Sequence, residues 1–190
     1  MIKYLRQSFS FLIVMTVLTG LLYPLVITAA SQVAFPHQAN GSLILQGNTV
    51  VGSELIGQNF TSARYFHGRP SAAGKGYDAL ASGGSNYGPL NSDFLKRVQA
   101  DAQKIRTLEG LKPNSELPSD SVLASASGLD PDISVSTALM QVPRIAKTRG
   151  LGTAPINALI ASMTEKPLYG IPGTPMINVL KLNRALDALK

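Results

Sequence analysis

The chain has 190 residues, 45% of them hydrophobic and 15% charged, with a net charge of +6 and no cysteine. That balance is too apolar for a disordered chain, and dispersed basic residues without interleaved aromatics exclude a nucleic-acid stacking platform. Disulfides, thiolate nucleophiles and sulfur-ligated zinc are excluded as well, and His37 and His67 are too few for a structural metal site.

The N-terminus is the most informative stretch. Between Gln7 and Ser53 there is no Asp, Glu, Lys or Arg. Within it, residues 9–33 are long enough as a helix to cross ~30 Å of hydrocarbon. Pro24 lies late in this span, where it can kink the helix without ending it. Gly20 with Thr16 and Thr19 forms a small face that another helix could approach, though the same residues suit a plain lipid-facing anchor. A cleaved signal peptide is the rival, since Lys3 and Arg6 form a basic n-region and Thr28-Ala29-Ala30 supplies small residues. The apolar run exceeds the roughly 7–15 residues of a signal core, which favours retention. Lys3 and Arg6 precede the span and no Lys or Arg follows it until Arg64. The expected division is a cytoplasmic N-terminus at residues 1–8, a transmembrane helix at 9–34 and an extracytoplasmic (periplasmic) domain at 35–190.

After the span, Leu43-Ile44-Leu45 and Thr49-Val50-Val51 around Gln46-Gly47-Asn48 predict a β-hairpin. Residues 61–89, rich in Gly, Ser, Ala and Tyr, read as long ordered loops, a class that is commonly functional. Asn91 or Ser92 then caps an amphipathic helix with Phe94, Leu95, Val98, Ala102, Ile105 and Leu108 on one face. Asp93, Lys96, Arg97, Asp101 and Lys104 are expected to face water. Residues 112–121 read as a surface connection. A second helix follows, capped by Asp132 or Ser134, with Val135, Leu139, Val142, Ile145 and Ala146 as its apolar face, Pro143 as a kink and Gly150 as its stop. A short helix near residues 155–164 and a last one near 178–189, with Val179, Leu182, Leu186 and Leu189 on one face, complete the reading. The fold class is α+β: one transmembrane helix, then a single soluble domain with a short hairpin or sheet and about four helices.

The search for chemistry excludes more than it finds. The stretch from Gly68 to Gly76 has the wrong glycine spacing for a phosphate-binding loop and lacks the Ser or Thr that would hold magnesium. Ser82, Gly83, Gly84 and Ser85 look like the signature loop of ABC-type ATPases and are weak nucleotide-contact candidates, yet Gly-Gly-Ser is also ordinary turn chemistry. There is no nucleophile elbow, His67 stands without a partner nucleophile, and Asp130 and Asp132 around Pro131 are accounted for as helix-cap residues. No catalytic or metal-ligating residue is expected.

The sequence also carries a family resemblance. Gly52-Ser53-Glu54-Leu55-Ile56-Gly57-Gln58, Tyr65-Phe66-His67-Gly68-Arg69-Pro70-Ser71, Gly84-Ser85-Asn86 and Gly88-Pro89 occur in order. They are followed by residues 127–134 (SGLDPDIS), Gln141-Val142-Pro143-Arg144 and residues 178–183 (NVLKLN). Together with the N-terminal span, this succession resembles the C subunit of the Kdp potassium-transporting ATPase over the whole chain. The motif positions are Gly57, Arg69, Pro70, Ser71, Asn86, Asp130, Pro131, Gln141, Arg144 and Asn178. Departures fall at Asp132, Val135, Thr174 and Met176, where His, Pro, Glu and Arg are commoner.

The resemblance implies a non-catalytic accessory subunit of a high-affinity, ATP-driven potassium uptake complex in the bacterial inner membrane. It would support assembly and raise the ATP affinity of the catalytic subunit. The implied partners are a channel-like A subunit, a P-type catalytic B subunit, a small F subunit and the lipid bilayer. No cofactor is expected on the chain itself, since ATP acts through the partner subunit. A membrane-tethered periplasmic binding or envelope protein acting alone is the alternative that the span and the Gly-rich loops equally allow.

Overall fold

The computed structural model describes residues 2–167 and 173–189. The chain falls into two compact units, Met1–Val51 and Gly52–Lys190.

In the first unit, α1 (Ile2–Val17), a π-helical turn (Leu18–Leu22) and α2 (Tyr23–Ala34) run on as one helix, Ile2–Ala34, of 33 residues with none of its side chains buried. At ~1.5 Å per residue it is about 50 Å long, more than the ~30 Å of a bilayer core. The π-turn is the backbone's answer to Pro24. Proline has no N–H to give the carbonyl four residues back and its ring crowds that turn, so widening the preceding turn lets the helix continue. Thr19 donates its hydroxyl to the Met15 carbonyl at 2.7 Å, and a Cβ on Gly20 would meet only a Thr16 methyl at 3.9 Å, so this face is open. A helix that is apolar all round and buries nothing fits a membrane anchor.

A single turn, α3 (Pro36–Ala39), follows, secured by an exchange of amide hydrogen bonds between Gln32 and Asn40. The predicted hairpin forms as β1 (Leu43–Gln46) and β2 (Thr49–Ser53), turning at Gly47 with φ 60°.

The second unit is built from α4 (Ser92–Glu109), α5 (Ser119–Val122), β3 (Asp132–Ser134), α6 (Val135–Arg149), α7 (Thr153–Met163), β4 (Met176–Asn178) and α8 (Val179–Ala188). Its organising feature is a doubled strand-to-helix unit. β3 and β4 pair antiparallel, Ile133 opposite Ile177, and each runs straight into a helix capped by the strand's last residue. Ser134 accepts from the Thr137 amide and Asn178 from the Lys181 amide, satisfying donors that the first helical turn leaves free. Ile133 and Ile177 thereby drop between α6, α7 and α8, where Val142, Ile145, Ile156, Ile160, Leu182 and Leu186 close the core. Gly150, at φ 69°, ends α6 as expected.

Several expectations are corrected. The β3–β4 sheet was not anticipated, because strands of three residues are too short to show alternation. On α6 the buried face is turned toward Thr137, Ala138, Gln141 and Arg144, leaving Leu139 exposed. Asp132 lies in β3 and Ser134 alone caps α6. The connection at residues 112–121 is not all surface, since it enters α5, where Ser121 and Val122 are buried. α4 forms and is capped by Asn91, but none of its apolar residues is buried, Leu95 and Leu108 are exposed, and Arg97 and Asp101 are half-covered.

Candidate functional site

The motif residues converge on one structure, a clasp around residues 57–77. Phe66 is the anchor. Its ring is fully buried in the core, so the flanking backbone enters the interior and its polar groups need partners. Two carboxamides supply them. The Phe66 N–H donates to Asn183 Oδ1 (2.8 Å) and Asn183 Nδ2 donates back to the Phe66 carbonyl (2.9 Å). Gln141 does the same for His67, accepting at 2.8 Å and donating at 3.1 Å. The segment is thus held much as a strand would be, by side chains in place of a neighbouring strand.

Arg144 ties this arrangement together. Its Nη2 donates to Gln141 Oε1 at 2.8 Å, fixing the amide's orientation, while Nη1 donates to the carbonyls of Ala63 and Tyr65. Its Nε pairs with Glu109 at the end of α4, a salt bridge with both side chains buried (6% and 2% exposed). Burial pushes the Glu109 carboxyl above its ordinary range, and the Arg144 guanidinium opposes the shift. At the edge, Arg149 lies over the Tyr65 ring with its guanidinium carbon 5.0 Å from the centroid. It also pairs with Asp187, which accepts from the Tyr65 hydroxyl.

The other end of the clasp is fastened to residues 123–130. Arg69 pairs with Asp130 at 2.7 Å and faces the Leu123 carbonyl. Ser71 donates to the Gly128 carbonyl (2.6 Å) and accepts from the Tyr77 amide (2.7 Å). The Tyr77 hydroxyl donates to the Arg69 carbonyl at 2.6 Å, and burial, with the Asp130 charge second, pushes its pKa up to about 12. Gly57 is required by close approach: its amide donates to the Leu129 carbonyl, and a Cβ there would stand 2.6 Å from the Asp130 carbonyl oxygen. Asn178 caps α8 and donates to the Glu54 carbonyl, while the Pro131 carbonyl accepts from the Val179 amide. Asp130 is an ion-pair partner of Arg69 and also accepts from the Asp132 amide at 3.0 Å, capping the local turn at Pro131, while α6 itself is capped by Ser134.

Between this clasp and α4 lies a cleft of about 440 Å³, lined in part by His67, Arg69, Tyr77, Asp101 and Lys104. His67 has a ring nitrogen 3.0 Å from the Ser62 carbonyl. Burial holds its pKa below the usual value; the Ser62 carbonyl opposes this and the charges of Arg144 and Lys104 reinforce it. Among the described residues no three His, Cys, Asp or Glu stand together as a metal site.

Not every singled-out residue joins the clasp. Thr16, Thr19 and Gly20 belong to the first unit. Ser82 and Gly83 both donate to the Ser127 carbonyl, at 3.0 and 2.9 Å, so two donors of the Ser82–Ser85 loop are already engaged. Asn86 adopts a left-handed φ of 51° beyond them. Phe66 and Asn183 stood within the quoted strings but not among the motif positions, and Tyr77 and Glu109 were not singled out. For Asn183 a signal existed, since it falls on the same helical face as Val179, Leu182 and Leu186, and an amide within an apolar stripe needs buried partners.

Comparison with known proteins matches nearly the full length of the chain. The family model described as "K+-transporting ATPase, c chain" matches residues 5–188. The potassium-transporting ATPase KdpC subunit of Caulobacter vibrioides is 51% identical over 189 residues, covering 99% of this chain and 94% of the relative. The subunit of the same name from Rhodopseudomonas palustris is 47% identical over 202 aligned positions, covering both chains entirely. That from Variovorax paradoxus is 50% identical over 187 residues, 97% of this chain and 95% of the relative. With the family model matching residues 5–188 and about half of its residues identical to these relatives end to end, the chain belongs to the family of potassium-transporting ATPase C chains.

Proposed function

We propose that this chain is a non-catalytic accessory subunit of a potassium-transporting ATPase, held in the bacterial inner membrane by residues 9–34. Its N-terminus is cytoplasmic and residues 35–190 lie outside. The observation that carries this reading is the use of the motif side chains on one another. Arg69 with Asp130, Arg144 with Glu109, and Gln141 and Asn183 with backbone are all engaged in holding residues 57–77. A domain built to be rigid suits a role in assembly.

Its partners are the channel-like A subunit, the P-type catalytic B subunit and the small F subunit. ATP binds the B subunit on the other side of the membrane, so an effect of this chain on ATP affinity is a coupling free energy carried through membrane helices. Couplings of this kind change affinity by about 5–150-fold. Gly20, with Thr16 and Thr19, is the face by which the anchor packs against a neighbouring helix.

Because the chain has no cysteine, topology is testable with one substitution, Asn114→Cys in the exposed connection after α4. A membrane-impermeant maleimide should label it in intact cells. Labelling only after lysis would reverse the orientation and with it the indirect route. In purified complex, omitting the chain should raise the ATP concentration needed for half-maximal ATPase activity; an unchanged ATP dependence would remove the affinity role.

A further inference from the structure

The π-helical turn leaves one backbone acceptor without a partner near the middle of the anchor. In a helix the Thr19 carbonyl has two regular donors, the N–H of residue 23 for an α-turn and that of residue 24 for a π-turn. The Tyr23 N–H is given to the Leu18 carbonyl, and residue 24 is proline, which has no N–H. The Thr19 hydroxyl is turned back onto the Met15 carbonyl at 2.7 Å, and among the described residues no other side chain donates to the Thr19 carbonyl. This carbonyl belongs to the peptide that joins Thr19 to Gly20, so the residue beside it has no side chain to shield it. A Cβ on Gly20 would meet only a Thr16 methyl at 3.9 Å, and the approach is open. Within the span 9–34, Thr19 stands about 4 Å from the midpoint along the helix axis.

We infer that the Thr19 carbonyl accepts a hydrogen bond from a serine or threonine hydroxyl on a membrane helix of another subunit of the same ATPase. The inference rests on the subunit reading above, and it gives the Gly20 face a chemical reason to be occupied. A bare acceptor in hydrocarbon is costly, and acyl chains carry no donor. Water and headgroups lie half a bilayer away, and the rest of this chain lies beyond the span, so the donor comes from a second helix at the same depth. Gly20 sets the donor's size. With no side chain there, two helix backbones can close to contact, where a short hydroxyl reaches and a long side chain would hold them apart. Charge sets its kind. The anchor helix, residues 2–34, has no Asp or Glu, so an ammonium or guanidinium would be carried to mid-membrane with no counter-charge from this chain.

Thr19-Gly20 is the only Thr-Gly pair in the sequence, so the full-length chain labelled with ¹³C-carbonyl threonine and ¹⁵N-glycine reports on this one carbonyl in solid-state NMR. The labelled chain is measured in bilayers by itself and after assembly with the unlabelled ATPase subunits. The carbonyl resonance should move downfield on assembly, as a new hydrogen bond requires. Gly20→Leu, which blocks the approach, should abolish the movement. Pro24→Ala supplies the missing N–H from within the helix and should show the downfield position before assembly. Each variant should lower the affinity of the chain for the tagged ATPase by about 3- to 30-fold, the worth of one interhelical hydrogen bond. An unmodified chain whose resonance is the same alone and assembled would overturn the inference while the subunit reading stands, whether water, a second copy or nothing meets the carbonyl. Failure of the unmodified chain to co-purify with the ATPase would overturn the subunit reading itself.

Discussion

α4 and α8 make an instructive pair. Both are amphipathic, and both carry apolar residues at three- and four-residue spacing with a carboxamide cap in front. α8 buries Val179, Leu180, Leu182, Asn183 and Leu186; α4 leaves Phe94, Val98, Ala102 and Ile105 half-covered and Leu95 and Leu108 exposed, and its last turn is fastened to the core through the buried pair of Glu109 and Arg144. Periodicity therefore identifies a helix and its sticky side but not who covers that side. In α8 the strand ahead of the helix is paired, so the helix is delivered onto the core. In α4 the segment ahead is an irregular connection, and the apolar side is left only half-covered.

The contrast can be broken most severely at its buried end. Phe66→Ala should lower stability by about 3–5 kcal/mol in denaturant unfolding, since it leaves a cavity in the core that α6 and α8 share. Arg144→Met leaves the Glu109 carboxylate buried without its partner and should cost a similar ~3–5 kcal/mol. Adding Glu109→Met should recover part of that loss, and a double variant as unstable as the single one would show that the pair's geometry, not its charge, holds α4. Asn183→Ala strands the Phe66 amide and carbonyl and should cost about 1–3 kcal/mol.

Further along the same scale lies Tyr77. Its folded pKa stands above its unfolded value of 10.0, at about 12, so its contribution is fully present below pH 10 and is lost as pH rises toward 12. Unfolding followed across that window should steepen for the native chain and flatten for Tyr77→Phe. At the open end, Leu95→Ser should change stability by less than ~0.5 kcal/mol, against the large cost of a polar residue at Leu182. A large loss at Leu95 would mean that the chain itself covers α4.

The sequence made much of this legible where residues act locally. The apolar run of the anchor, the hairpin at Gly47, the Asn91 cap, the Gly150 stop and the face of α8 all follow from neighbours a few positions apart. The motif residues were visible as a set, but their meaning was not. Arg69 and Asp130 lie 61 positions apart and Phe66 and Asn183 lie 117 apart, and no local pattern states which buried amide will meet which carbonyl. Asp130 was read only in part for that reason: its local turn at Pro131, accepting from the Asp132 amide, was legible, but only the fold brings Arg69 to it. The open side of α4 was equally hidden, because exposure depends on what is absent around a helix.

The groups described above that hold residues 57–77 from outside the segment come later in the chain, at residues 123–130, Gln141, Arg144, Arg149, Asn183 and Asp187. During synthesis, which proceeds from the N-terminus, the buried ring of Phe66 has no complete socket until Leu182, Asn183 and Leu186 have left the ribosome. The closing of this long loop is therefore the last act of folding, and a nascent chain halted short of α8 should keep residues 57–77 open to protease however well its earlier helices have formed.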